Sequence, residues 1–144
     1  MKPLTNEEFG KVVMDLASPE RPFVPKAIYD ADGDFIEFVV KTDDFYAERI
    51  DDLLTVYRSE ETDELVGSYI KSVSSFCKAI VKQSPLFAVI VEHPPIRLSH
   101  LFMARLLHFP PDSDQLQVVG AVYKELIEEA EEKKAEIDTQ LCGV

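Results

Sequence analysis

The segment from Ala27 to Val73 constrains the fold of this chain more than any other. It consists of short runs rich in β-branched and aromatic residues, separated by short acidic turns. Such runs are typical of β-strands. A parallel connection needs a crossover of about a dozen residues or more, which these turns cannot supply. The segment therefore predicts an antiparallel sheet, in its simplest form a five-stranded β-meander over residues 27–73.

Helical patterns flank the predicted sheet. Thr5-Asn6-Glu7-Glu8 has the form of a capping box, and the apolar spacing that follows predicts a helix over residues 6–17. Further helices are predicted at 74–83, 96–109 and 113–136, the second starting either directly after Pro95 or with Ser99 as its N-cap. The apolar run 86–91 favours a buried sixth strand, and a buried helical turn is the alternative.

These elements predict an α+β fold. It has an N-terminal helix, a five-stranded antiparallel β-meander with a sixth strand possible at 86–91, and C-terminal helices packed on one face. The 144 residues are a usual size for one domain, so we expect a single domain over 1–144.

Charge limits the classes of partner. The net charge of −12 opposes binding to nucleic acid and to anionic membranes. The N-terminus lacks the apolar core of a signal peptide, and no 18-residue apolar window occurs, so we expect a cytoplasmic protein. Cys77 and Cys142 are then expected as thiols.

The charge is also unevenly distributed. Residues 27–73 contain 4 basic and 13 acidic side chains, a balance of −9, whereas residues 74–111 contain 4 basic and 1 acidic, a balance of +3. The most basic part of the chain is therefore also its most apolar part.

Motifs for metal, cofactor or catalysis are weak. Asp30, Asp32 and Asp34 resemble the start of a calcium loop, but Lys41 stands where such a loop needs a glutamate. The three histidines lack helical ligand spacing, and neither a nucleophile motif nor a glycine-rich phosphate loop is present. We therefore predict no metal and no cofactor, and favour a protein that is not an enzyme.

Residues 86–109 carry the strongest functional indication. Their apolar side chains must be covered, either by the protein's own core or by a partner. The segment also contains Arg97, His100, Arg105 and His108, which together could bind an anionic group.

Residues 29–76 resemble a bacterial β-meander family of unknown function. The resemblance is carried by three short stretches: Tyr29–Ile36, Ala47–Asp52 and Leu65–Ile70. The resemblance implies that the protein binds a partner in an inhibitory or antitoxin-like role. It provides no catalytic residue that could be assigned to this chain. The helix before the meander and the residues after it depart from the family pattern.

Two functional hypotheses follow. The first is a non-enzymatic protein-binding or regulatory module, which binds a protein partner or forms a homodimer. The second is a small-ligand-binding protein or hydrolase with an anionic-group site at Arg97, His100, Arg105 and His108.

Overall fold

The computed structural model describes residues 24–139 and residue 141. The chain divides into two compact units, residues 1–71 and 72–144, and each is described by itself. We call the described part of the first, residues 24–71, the sheet unit, and that of the second the helical unit. The single domain over 1–144 stays a prediction.

The sheet unit is a five-stranded antiparallel sheet, as the sequence predicts. Its strands are β1 Lys26–Asp30, β2 Phe35–Val39, β3 Phe45–Arg49, β4 Leu54–Ser59 and β5 Leu65–Lys71. The strands lie in the order β1-β2-β5-β4-β3, so β1 and β3 form the two edges.

The predicted meander is wrong, because β2 pairs with β5 and not with β3. After β2, the backbone N–H groups of Val40 and Lys41 donate to the carbonyl of Val66 at 2.7 and 3.3 Å, and the chain continues to the far edge. Strand composition explains the order. All five residues of β2 are buried, whereas four of the five residues of β3 are exposed. The apolar strands therefore take the centre and the polar strand takes an edge.

The predicted order of elements, which starts with a helix, is also wrong. In the described chain the strands come first, over residues 26–71, and the helices are C-terminal. Residues 6–17, where we predicted the N-terminal helix, lie outside the described residues.

Acidic side chains form the turns of the sheet. Asp30 Oδ1 accepts from the Gly33 N–H at 2.9 Å in the β1–β2 turn, where the positive φ of 56° falls on Asp34. A Cβ atom on Gly33 would lie 2.4 Å from the Phe35 ring, so close packing requires this glycine. Asp51 Oδ1 accepts from two backbone N–H groups at 2.8 Å in the β3–β4 turn. These aspartates therefore have a structural role.

The helical unit contains four helices and a small strand pair. The helices are α1 Val73–Gln83, α2 Pro85–Glu92, α3 Leu98–His108 and α4 Leu116–Glu132, and the strands are β6 Ile96–Arg97 and β7 Glu136–Ile137. Helices α1, α3 and α4 correspond to those predicted at 74–83, 96–109 and 113–136. Cys77 is buried in α1, and Cys142 lies outside the described residues.

The predicted sixth strand at 86–91 is wrong, because this run forms α2. The Ser84 hydroxyl accepts from the Phe87 N–H at 3.2 Å, and Pro85 occupies the first helical turn. A serine cap followed by proline is a helix start signal, and here it outweighs the strand preference of the β-branched residues. The alternative of a buried helical turn comes closer to the structure.

Helices α3 and α4 form an antiparallel pair. Strand β6, directly before α3, pairs with β7, which follows α4, so the start of α3 lies beside the end of α4. The Phe102 and Tyr123 rings meet edge to face, with centroids 6.4 Å apart. Across residues 24–139, no helix has both the length and the apolar composition needed to cross a bilayer.

Candidate functional site

The outer face of α3 is apolar. His100, Met103 and Leu107 follow at i, i+3 and i+7, so they form one stripe along the helix, which we call the α3 stripe. Met103 is 41% exposed and Leu107 is 70% exposed. The opposite face buries Leu98, Leu101 and Phe102. Large apolar side chains therefore occur on both faces of α3, alongside the polar residues Ser99, His100, Arg105 and His108.

Helix α2 also has apolar side chains both in the core and in contact with solvent. Phe87 and Val91 are buried, whereas Leu86 and Val89 are 72% and 55% exposed. Its only charged residue is Glu92, at the last position. Two helices of one unit thus each present large aliphatic side chains to solvent, and exposed apolar surface of this kind marks interaction sites.

Residues 86–109 are therefore divided between core and surface. Within this segment Phe87, Val91, Ile96, Leu98, Leu101 and Phe102 are buried, and Leu86, Val89, Met103, Leu107 and Phe109 are exposed. The core interpretation holds for the buried part of the segment, and a partner that covers the exposed part stays a prediction.

The four residues of the predicted anionic-group site occupy different environments. Arg97 is exposed at the N-cap of α3, His100 and His108 are partly buried, and Arg105 is buried. The Arg105 guanidinium lies 4.9 Å from the centre of the Phe109 ring, a cation–π contact. The helical rise separates His100 from His108 by about 12 Å along the axis. A shared site for these four residues stays a prediction.

Arg97 belongs to a cluster of polar side chains where α3 begins. Arg97 Nη1 lies 3.7 Å from Glu131 Oε2, and the Ser99 hydroxyl donates to Glu131 Oε1 at 2.5 Å. Glu131 thus places a carboxylate at the N-terminus of α3, where the helix dipole and the free N–H groups favour negative charge. The cluster joins the ends of α3 and α4.

A cleft of about 340 Å³ lies beside this cluster. Its lining includes Arg97, Ser99, Glu131, Lys134 and Glu136, and none of His100, Arg105 and His108. Ser99 is buried, and its hydroxyl donates its hydrogen bond to the Glu131 carboxylate and not to a histidine that could activate it as a nucleophile. The geometry favours a structural role for the cluster.

Metal chemistry receives no support in the described part of the chain, where no three His, Cys, Asp or Glu side chains are grouped closely enough to hold a metal ion. In the β1–β2 turn, Asp34 Oδ1 accepts from the Tyr29 hydroxyl at 2.7 Å and Asp30 accepts from Gly33. The residues that resemble the start of a calcium loop therefore form a hairpin turn.

Glu37 is the most unusual titratable group of the sheet unit. It lies at the centre of β2 with 6% of its surface exposed, and Oε1 is buried without a hydrogen-bond partner among the residues that the structure describes. Burial, followed by the charge of Asp30, raises the pKa of its carboxyl to about 7. Burying a carboxyl without a hydrogen-bond partner costs free energy. The stability of the fold therefore does not explain why a glutamate occupies this position.

The sequence analysis missed Glu37, although a signal was present. In Phe35-Ile36-Glu37-Phe38-Val39 it is the single charged residue of an otherwise apolar strand. A strand apolar on both sides of a charge predicts a central strand with a buried ionisable group.

Comparison with known proteins identifies no relative of this chain, since no protein-family model, no curated protein and no solved structure matches it. The resemblance of residues 29–76 to a β-meander family stays a prediction.

Proposed function

We propose that this protein is a non-enzymatic protein-binding module that self-associates through the apolar surface of α2 and α3. The observation that carries the proposal is the α3 stripe, where Met103 and Leu107 are exposed on a helix whose other face is also apolar. Helices with this composition are usually buried in an assembly or a core.

The charge distribution supports a second copy of this chain as the partner. A chain of net charge −12 repels its own copies unless the contact surface lacks the acidic charge. From Pro85 to His108 the sequence contains one acidic residue, Glu92, and two basic residues, Arg97 and Arg105. Two copies can therefore meet at this surface without like-charge repulsion, and a two-fold contact places the same patch on both sides.

Burial of the exposed side chains provides the driving force. Complete burial of a fully exposed large aliphatic side chain contributes about 1.5–3 kcal/mol, and a side chain that is already partly buried contributes a corresponding fraction. Leu86, Val89, Met103 and Leu107 are each 41–72% exposed and occur twice in a two-fold contact. Association also costs free energy, because each copy loses translational and rotational freedom. We therefore expect a dimer that dissociates on dilution.

Sedimentation velocity on three proteins tests this proposal. The wild type should sediment as a concentration-dependent dimer of the 16.3 kDa chain. The Met103→Lys, Leu107→Lys double variant should be monomeric with an unchanged circular dichroism spectrum, because the substituted side chains already contact solvent. Val24→Lys is the matched control, because Val24 is 66% exposed but lies in the sheet unit, and it should remain dimeric.

A wild type that stays monomeric at the highest attainable concentration would contradict the proposal. So would a double variant that remains folded and dimeric, since the α3 stripe would then not be the contact surface.

A further inference from the structure

Glu37 occupies the middle of a row of side chains that crosses the whole sheet. The strand register places Ile28, Glu37, Tyr69, Thr55 and Arg49 opposite one another, one from each strand. Side chains in such a row lie on the same face of the sheet. Phe35 and Val39 flank Glu37 on this face, because alternate residues of a strand point the same way.

Aromatic rings lie on the same face as the Glu37 carboxylate, with Tyr69 directly across from Glu37 on β5 and Phe35 two residues before it on β2. The Phe35 and Tyr69 rings lie with centroids 5.0 Å apart, and the Phe45 and Tyr57 rings 4.9 Å apart. Burial raises the pKa of Tyr57 to about 12 and also raises the pKa of Tyr69, and in both cases the charge of Glu37 is the next contribution. Ring faces and a carboxylate both attract cations.

The carboxylate has no cation of its own. In the region from residue 24 to 139, no basic side chain lies within ion-pair distance of Glu37, and Oε1 is buried without a partner. The cross-strand neighbours of Glu37 leave an approach from solvent, since Ile28 is 43% exposed and Tyr69 is only partly buried. The charge of the surrounding segment, −9 over residues 27–73, draws cations toward this face.

We propose that the Glu37 carboxylate and the aromatic rings beside it form a binding site for a guanidinium group. Guanidinium is planar and weakly hydrated, stacks on aromatic rings and pairs with a carboxylate through two parallel hydrogen bonds. A lysine-type ammonium is more strongly hydrated and loses more on entering a desolvated site. The group belongs either to a free small molecule or to an arginine side chain of another protein. The proposal does not depend on self-association through α2 and α3.

Binding should be coupled to the ionisation of Glu37. The site needs the carboxylate, whereas burial and Asp30 keep part of the group protonated near pH 7. The other titratable groups on this face are Asp30, Lys26, Arg49, Lys71 and the two tyrosines, whose pKa values are raised by burial and then by the Glu37 charge, further above neutral pH. Affinity for guanidinium should therefore rise as the pH increases from 6 to 8.

Titration with butylguanidinium, followed by amide chemical shifts in the folded full-length protein, tests the site. We expect shifts centred on Glu37 and Tyr69, and an affinity that falls about tenfold or more in Glu37→Gln, which removes one charge-assisted pair. Asp32→Asn is the matched control, because it removes the same charge from an exposed residue of the neighbouring turn, and it should bind like the wild type.

A second titration distinguishes the source of the group. A capped Gly-Arg-Gly peptide that binds more tightly than butylguanidinium assigns the site to a protein side chain, and equal binding assigns it to a free ligand. The same peptide with neutral citrulline in place of arginine should not bind. The proposal is overturned if neither guanidinium probe binds, or if the shifts persist at equal affinity in Glu37→Gln.

Discussion

At the scale of single residues, Glu37 determines one part of the pH dependence of stability. Its pKa rises from 4.5 to about 7 on folding, so the folded protein holds this proton more tightly than the unfolded chain does. The contribution is fully present below pH 4.5 and is lost as the pH rises through 7. The loss amounts to about 3 kcal/mol at most.

Glu37→Gln should remove this dependence. We expect the variant to be more stable than the wild type above pH 7, by up to about 3 kcal/mol, and to differ little from it near pH 4.5. Urea unfolding at a series of pH values measures the difference. Asp32→Asn should retain the wild-type profile. If the free energy of unfolding depends on pH in the same way for Glu37→Gln and wild type, the carboxyl of Glu37 is not desolvated in solution.

At the scale of elements, the Ser84 cap holds α2 in its helical form. The hydroxyl accepts from the Phe87 N–H at 3.2 Å, so Ser84→Ala leaves that group without its partner. We expect a loss of about 1 kcal/mol in the free energy of unfolding, the usual cost of losing a serine N-cap. Chemical denaturation measures this loss. Ser75→Ala, at an exposed position inside α1, should cost nothing; an equal loss in both variants would contradict the capping role.

Elements fixed by local chemistry were predictable from the sequence. The β1–β2 turn follows from Asp30 and Gly33, and helices α1, α3 and α4 follow from apolar spacing. The sheet order did not follow, because the pairing of β2 with β5 joins residues such as Glu37 and Tyr69 that are distant in the chain. Strand composition indicates that β2 is central and that β3 lies at an edge, but it contains no information on which strand β2 pairs with.

The run 86–91 shows a different limit. Its β-branched residues favour a strand, while Ser84-Pro85 favours the start of a helix, and the helix start signal prevailed. The site was predictable only in part. The sequence indicated residues 86–109, but which side chains remain exposed, such as Leu107 rather than Leu101, depends on the side of α3 that packs against α4.

At the scale of the whole molecule, the exposed aliphatic side chains of α2 and α3 lie in the least acidic part of the chain. The acidic excess lies in residues 27–73 and 112–144, on either side of these helices. The proposed contact surface is therefore nearly neutral, which would permit self-association of a chain with net charge −12.

The most direct test of that account is a mixed-label nuclear Overhauser experiment. Copies with labelled methyl groups are mixed with unlabelled copies, and contacts between copies are detected selectively. The account predicts intermolecular contacts at the Met103 and Leu107 methyl groups, and none at the Val24 methyl groups. A mixed sample that gives no intermolecular contact at Met103 or Leu107, at concentrations where the protein is dimeric by sedimentation, would contradict it.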